Sequence, residues 1–175
     1  MRFTRHRKQV RADPDATEVA LLTQLATELL GLIEAPAISD DPLAEMVGMP
    51  PGDVDPPDNE VLERLFPDAY KGDPEAAREF RRYTDSELRQ TKRANAKALI
   101  ASLPEGGGVF ELDRDLVDVW LASLNDMRLA LGTSLDVTEE TDYETDDEPA
   151  LQVYAWLGWL QESLLSCVDP RPPRP

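Results

Sequence analysis

The chain has 175 residues, a length typical of one domain. Its 18 Lys and Arg residues against 35 Asp and Glu residues give a net charge of −17, which argues against a general binder of nucleic acids or anionic membranes, because such polyanions repel it. The single cysteine, Cys167, excludes an internal disulfide; with no signal-peptide pattern and no apolar run of about 20 residues, this predicts a cytoplasmic protein that does not span a membrane.

The acidity is uneven along the chain. Residues 1–12 contain five basic side chains and no acid, which leaves −17 − 5 = −22 for the remainder. We define this segment as the basic arm; it is either a frayed edge strand or a disordered segment, since its apolar pattern is too sparse to decide. Its basic residues are Arg2, Arg5, Arg7, Lys8 and Arg11.

The first predicted helix follows the arm. Asp13 is a candidate N-cap residue and Pro14 fits the first helical position, a pair typical of a helix start. The helix is expected to end near Glu34, because Pro36 cannot continue it. Its leucines recur at helical spacing on one face: Leu22, Leu25, Leu29 and Leu32.

Proline then dominates the sequence. Residues 36–74 hold eight of the fifteen prolines, which predicts a long surface excursion within one domain. Two short helical turns are expected at 42–47 and 59–66, and a Pro-rich loop at 48–58.

The next predicted helix has two start signals. Asp73 is an N-cap candidate with Pro74 at the first position. A second capping box, formed by Thr84 and Glu87, predicts a break or kink near Tyr83.

The second half of the chain predicts a brief strand at 109–112 and two long helices. Asp113 caps the first of these, and Gly132 is the expected residue just after its end. The acidic loop, 133–148, leads to the last helix, which runs from Pro149 to about Cys167 before a Pro-rich tail at 169–175. Apolar residues cover more than half of the last helix, which predicts a central position or a homodimer through this helix.

These elements predict a mainly α fold. Residues 13–168 would form a single-domain helical bundle with minimal β structure and a Pro-rich excursion, flanked by the basic arm at 1–12 and the tail.

Three stretches of sequence resemble a known family. The strings WLASLNDMRLALGT at 120–133, YAWLGWLQESL at 154–164 and DPEAAREFRR at 73–82 are similar to an actinobacterial family of unknown function, also called the oxidative-stress-responsive regulator family. The similarity covers residues 14–167, and the two C-terminal strings are its most specific parts.

The resemblance implies a small cytoplasmic helical protein with no established enzymatic activity. It also implies a regulatory role through redox-dependent association with the transcription apparatus, and genes that lie beside those for cysteine synthesis and a protease adaptor. A thiol switch of that kind needs two nearby cysteines, whereas the arm of this sequence has Thr4, Arg5, His6, Arg7 and Lys8 and no cysteine. The thiol mechanism is therefore not carried over to this chain.

Polar residues on the last two helices form a first candidate site, the polar constellation. If the helices pack antiparallel, Arg128 is expected to meet Glu162 and Asn125 to meet Gln161. The constellation is either a binding site or a structural salt bridge that fixes helix register. Its members are Asn125, Asp126, Arg128, Gln161 and Glu162.

Basic residues at helical spacing form a second candidate, the docking stripe. It would bind an acidic protein surface or nucleic-acid phosphates, or it is a solvated face, or one neutralised by the acidic loop. Its members are Arg78, Arg82, Arg89, Arg93 and Lys97, with Arg81 and Lys92 beside them.

Neither a metal nor a cofactor is predicted. Segment 136–148 lacks the glycine of a calcium loop, and His6, the single histidine, cannot build a zinc site with the distant Cys167. Cys167 itself is expected to be a small apolar residue, buried or half-buried, with an intermolecular disulfide as the alternative.

The sequence thus favours a non-enzymatic regulatory protein that binds a protein partner and is linked to transcriptional control of sulfur or oxidative-stress metabolism. One alternative is a DNA-associated transcription regulator using the basic arm and docking stripe. Another is a small-ligand-binding protein or enzyme centred on Asp126 and Arg128.

Overall fold

The computed structural model describes residues 1–34, 59–70, 72–141 and 148–168. The predicted turn at 42–47, the loop at 48–58, the tail at 169–175 and the 142–147 part of the acidic loop lie outside the described residues. The described chain is mainly α with one small sheet, as predicted. Its elements in order are β1 Thr4–His6, β2 Gln9–Ala12, α1 Ala16–Glu34, α2 Glu60–Leu65, α3 Pro74–Ser102, β3 Phe110–Leu112, α4 Arg114–Ser134 and α5 Pro149–Val168.

The basic arm folds as a hairpin and joins β3 in an antiparallel sheet of order β1-β2-β3. Val10 and Ala12 are buried while Gln9 and Arg11 are exposed, the alternation expected of a half-buried strand. Of the two alternatives left open by the sequence, the structure has the strand. The pattern was hard to read because only Phe3, Val10 and Ala12 turn inward from this segment.

Helix α1 starts two residues later than the sequence predicts. The cap is Asp15, whose carboxylate accepts from the Glu18 N–H at 2.8 Å while the Glu18 carboxylate accepts from the Asp15 N–H at 3.0 Å. The prediction of Asp13 as N-cap and Pro14 as first helical residue is therefore wrong. The Pro14 carbonyl instead accepts from the Gly108 N–H at 2.9 Å, because the glycine run packs against the start of α1.

The glycine run is needed for that close packing. Gly107 has a φ of +96°, and a Cβ at this position would lie 2.9 Å from the backbone of the α1 start. Glycine is the residue that tolerates both the left-handed conformation and the approach of another backbone.

Helix α1 is long and apolar enough to cross a membrane by length and composition alone, although charged and polar residues interrupt its apolar run. Its inward face is buried in the protein core, and its outward face carries polar residues such as Gln24 and Glu28. The buried residues are Leu22, Ala26, Leu29 and Ile33.

Helix α3 is continuous through Tyr83, so the predicted break at the second capping box is wrong. The Thr84 hydroxyl donates to the Phe80 carbonyl at 2.9 Å, within the helix, instead of capping a new one. Threonine makes this bond in helix interiors without ending them. The predicted start holds, since the Asp73 carboxylate accepts from the Ala76 N–H at 3.1 Å.

Helix α4 starts at the predicted cap, Asp113, but extends past Gly132, which is therefore not the residue after its end. That position is Asp136, with a φ of +50°. The N–H groups of Asp136 and Val137 donate to the carbonyls of Thr133 and Gly132 at 3.2 and 2.9 Å, a Schellman motif. Gly132 instead permits close packing, since a Cβ there would lie 2.8 Å from Tyr154 Cε2.

The core surrounds α4, which packs against α1, α2, α3 and α5. Trp120 is fully buried at its centre and donates its indole N–H to the Ser102 hydroxyl at 2.9 Å. The rings of Phe3 and Phe110 lie 5.6 and 5.4 Å from it. The hairpin, α3 and α4 therefore share one core, which fixes the sheet against the bundle.

Candidate functional site

A buried ion pair joins α3 to α4. Asp126 is 3% exposed, and the Lys92 ammonium donates to its Oδ1 at 2.6 Å. Because the pair is mostly buried, the attraction between the two charges offsets the free-energy cost of removing each from water. The carboxylate that the sequence assigned to the polar constellation thus connects two helices.

Arg128 makes a different set of contacts from the one predicted. Its guanidinium lies 4.8 Å from the Tyr154 ring centre, a cation–π contact. It also lies against Gly158, where a Cβ would stand 3.3 Å from the arginine Cζ. Its Nε is buried and has no hydrogen-bond partner in the part of the chain that the structure describes.

The register of α4 and α5 explains why Arg128 and Glu162 do not pair. Gly132 faces Tyr154 and Arg128 faces Gly158, so the helices run antiparallel, as expected. Glu162 lies one helical turn beyond Gly158, which takes it away from Arg128. No ion pair joins the two among the described residues, and the expected contact is wrong.

The other members of the polar constellation lie apart from the buried ion pair. Asn125 and Glu162 are exposed, and Gln161 is half-buried. The same register places Asn125 level with Gln161, and contact between them stays a prediction. The structure therefore separates the polar constellation into a buried carboxylate, a packed guanidinium and surface groups.

An open cleft of about 1060 Å³ borders the packed guanidinium. Arg64, Arg81 and Arg128 line it, together with the ring of Tyr154 and four acidic residues, Glu60, Glu63, Asp68 and Asp136. Arg81 is 7% exposed and forms an ion pair with Asp68, so its charge is compensated within the protein. Asp126 does not line this cleft, and the two residues of the small-ligand hypothesis thus face different surroundings.

The docking stripe is partly engaged in contacts within the chain. The Arg89 Nε donates to Asp85 at 2.5 Å, and its guanidinium lies 4.3 Å from the Phe66 ring centre. Its Nη1 also donates to the Ile33 carbonyl at 3.3 Å. Arg89 therefore ties α3 to the end of α1 and to the segment after α2.

The outer residues of the docking stripe are more accessible. Arg93 and Lys97 share the Glu34 carboxylate at 3.1 and 3.6 Å, with side chains 43% and 58% exposed. Arg78 and Arg82 are exposed on the first half of α3. Neutralisation of Arg93 and Lys97 thus comes from Glu34 of α1, whereas the sequence suggested the acidic loop.

His6 and Cys167 both lie near the hairpin. His6 Nδ1 is 2.8 Å from the Glu111 carboxylate, across the sheet. The Cys167 thiol is half-buried and donates to the Ser163 carbonyl at 3.3 Å. Burial raises its pKa, against the smaller opposing effects of a hydrogen bond with Ser166 and the charges of Arg2 and Arg5. Among the described residues no three His, Cys, Asp or Glu side chains are grouped as a metal site would require.

Sequence reasoning missed the partners of the charged residues. The Asp85–Arg89 pair had a readable signal, since opposite charges four residues apart meet on a helix. The Lys92–Asp126 pair spans 34 positions and had none. Its assignment requires the register of α3 against α4, which only packing determines.

Comparison with known proteins identifies one family and several named relatives that are similar to this chain. The model of a family described as a domain of unknown function, DUF2017, matches residues 1–168. The oxidative stress regulator AosR of Mycobacterium tuberculosis is 32% identical over 181 aligned residues, which cover 93% of this chain and 83% of that protein. The putative oxidative stress regulator AosR of Mycobacterium leprae is 34% identical over 167 residues, covering 85% and 77%. No solved structure matches the chain.

Proposed function

The chain belongs to the DUF2017 family, and from this membership we propose that it is a cytoplasmic regulator of the oxidative-stress response that binds a partner protein and performs no catalysis. The observation that carries the proposal is the similarity, over 93% of this chain, to a protein named an oxidative stress regulator. Its output is transcription of oxidative-stress or sulfur-metabolism genes.

The arrangement of polar groups is consistent with binding rather than catalysis. The buried carboxylate of Asp126 is bound to Lys92 at 2.6 Å, and Arg89 is bound to Asp85 at 2.5 Å. Such pairs fix the positions of helices, and their charges are compensated before any ligand arrives. The surface that remains for recognition is the outside of the bundle.

The face of α5 around Trp159 is the surface that we favour for the partner. Trp159 is 46% exposed on this face, next to Glu162 and Ser166. Tryptophan is enriched among the residues that contribute most to protein interfaces, since it buries a large apolar area and keeps one polar group. Arg2 lies beside this surface and adds positive charge.

The redox mechanism differs from a cysteine-pair switch. An internal disulfide needs two cysteines, and these 175 residues contain one. The Cys167 thiol is half-buried and burial raises its pKa, so little reactive thiolate is present at neutral pH. We therefore propose that the oxidative signal reaches this protein through its partner or its abundance.

The proposal is tested in a deletion strain by RNA sequencing and affinity purification with mass spectrometry, with and without oxidant. The strain should show an altered transcriptional response to oxidant, restored by the wild-type chain and equally by Cys167→Ser. Trp159→Ala should fail to restore it and lose the captured partner. Tyr83→Ala, which removes another exposed aromatic residue, is the matched control and should behave as wild type.

Two results would contradict this function. An unchanged transcriptional response in the deletion strain would remove the regulatory role. Turnover of a compound by the purified protein, lost on Asp126→Asn while the fold is retained, would favour the enzyme centred on Asp126 instead.

A further inference from the structure

The hairpin leaves one sheet edge without a strand partner, although α5 packs against β1 and binds the N–H of the preceding Phe3. β1 is the outer strand, and a two-residue turn at Arg7 and Lys8 connects it to β2. The residues that flank such a turn, His6 and Gln9, form a hydrogen-bonded pair, so the N–H and C=O of Arg5 point away from β2. Arg5 is exposed. On the outer edge of β1, Arg5 thus has a backbone donor and acceptor that no strand of the sheet uses.

A groove runs between the start of this strand and α5. Its volume is about 340 Å³. Phe3 is buried at its base, and the Phe3 N–H donates to the Ser163 hydroxyl at 3.2 Å, which fastens the hairpin to α5. Trp159 forms an exposed apolar wall. The remaining lining residues are Arg2, Glu162 and Ser166.

The charge at this edge is predominantly positive. Arg2, Arg5 and Arg7 are exposed, and none of them forms an ion pair with a described residue. Glu162 is the one acid that lines the groove. This local excess of positive charge stands out in a chain of net charge −17, and an acidic segment is its electrostatic complement.

We propose that the groove between β1 and α5 binds an acidic, extended segment of a partner protein by strand addition to β1. The segment would exchange backbone hydrogen bonds with Arg5, place carboxylates against Arg2 and Arg5, and pack an apolar side chain on Trp159. Alternate residues of an added strand point to opposite sides, which suits a sequence that alternates acidic and apolar residues. The inference rests on the proposed function in that the partner is a protein.

A peptide fits this site better than a nucleic acid does. The exposed backbone of Arg5 offers an acceptor as well as a donor, and a phosphodiester has no donor to pair with that acceptor. A long polyanion would also extend beyond the groove onto a molecule that carries −22 outside the arm. A short acidic segment meets only the local positive charge.

The test uses the full chain and a fluorescein-labelled peptide of four Glu-Leu repeats, measured by fluorescence anisotropy at low salt. We expect binding that weakens as salt is added. A Lys-Leu peptide should not bind, because its charge is reversed. A Glu-Leu peptide with N-methyl groups on alternate amides should also fail, because it cannot form the strand bonds.

Variants of the protein separate charge from backbone. Arg5→Ala removes the charge and should weaken binding several-fold, while Arg5→Glu should weaken it by about tenfold or more. Arg5→Pro also removes the outward N–H, which β2 does not use, and should abolish binding. Arg114→Glu, an exposed charge reversal at the start of α4, is the control and should change affinity by less than about twofold. Circular dichroism establishes that each variant is folded.

Three outcomes would overturn the inference. These are no binding of the Glu-Leu peptide, equal binding of its N-methylated form, and equal loss with Arg114→Glu. Binding of a 20-base single strand in place of the peptide, lost on Arg5→Glu, would assign the site to nucleic acid. If any of these results is obtained while the complemented strain still responds to oxidant, the groove is not the binding site and the proposed regulatory function is unaffected.

Discussion

Among individual residues, Lys92 has the most consequential single contact. Its ammonium is the partner of Asp126, which is 3% exposed and cannot reach water without moving α4. Lys92→Met should therefore lower the free energy of unfolding by about 3 kcal/mol, the order of cost for a buried charge that loses its partner. Urea denaturation followed by circular dichroism measures this change.

The control for that prediction is the double variant Lys92→Met with Asp126→Leu. Replacing both ions with apolar residues of similar size removes the uncompensated charge, so the double variant should be more stable than Lys92→Met alone. If the effect of the double variant equals the sum of the effects of Lys92→Met and Asp126→Leu, the two charges are not coupled and do not stabilise each other across α3 and α4.

Cys167 gives a second prediction for a single residue. Because burial raises the pKa of its thiol, the protonated form persists in the folded protein to a higher pH than in the unfolded chain, and it is lost as the pH rises through the folded-state pKa. Alkylation by iodoacetamide at pH 8 should be slower in the folded protein than in urea, and the folded rate should rise steeply only at higher pH. Mass spectrometry over a time course measures both rates. A faster rate in the folded protein would indicate an activated thiol and would reopen direct redox sensing.

The helices themselves are tested by two glycines. Gly132 sits inside α4 where a Cβ would lie 2.8 Å from the Tyr154 ring, whereas a Cβ on Gly31 of α1 would meet nothing within 4 Å. Gly31→Ala should stabilise the protein by about 0.5–1 kcal/mol through helix propensity. Gly132→Ala should instead destabilise it by about 1–2 kcal/mol, because the Tyr154 ring that packs there must shift. Thermal unfolding of the two variants measures both effects, and equal gains would show that α5 does not pack closely on α4.

Helix positions were largely predictable from sequence, while their ends depended on tertiary contacts. Leu22 and Leu29 recur at a spacing that strands do not share, so the leucine pattern by itself identifies α1. Its cap was misplaced because Asp13 and Asp15 are both acceptable chemically, and contact of Pro14 with the glycine run decides between them. Likewise, Thr84 has the chemistry of a cap, and the continuous packing of α3 leaves it inside a helix.

The polar site was less predictable than the helices. Composition identified Asp126 and Arg128 as unusual charged residues between apolar ones. Their partners depend on how α3, α4 and α5 align. Arg128 lies against Gly158, one helical turn before its predicted partner Glu162. The alignment of packed helices depends on all the apolar contacts between them, and it cannot be read from residue spacing within one helix.

At the scale of the whole molecule, the charge distribution has a measurable effect on stability. The net charge of −17 produces self-repulsion that added salt screens, while the closest ion pairs, such as Lys92 with Asp126, are partly buried and are screened less. The melting temperature should therefore rise between about 20 and 300 mM NaCl. Differential scanning fluorimetry measures it across the series.

Two charge variants make the salt prediction specific. Arg2→Glu with Arg5→Glu changes the net charge to −17 − 4 = −21, and Glu105→Lys with Asp118→Lys changes it to −17 + 4 = −13, all at exposed positions. The slope of melting temperature against salt should be steepest at −21 and shallowest at −13, because the repulsion to be screened scales with net charge. A melting temperature that falls with salt in all three proteins would contradict this prediction. It would mean that the ion pairs on α3 contribute more to stability than the global repulsion removes.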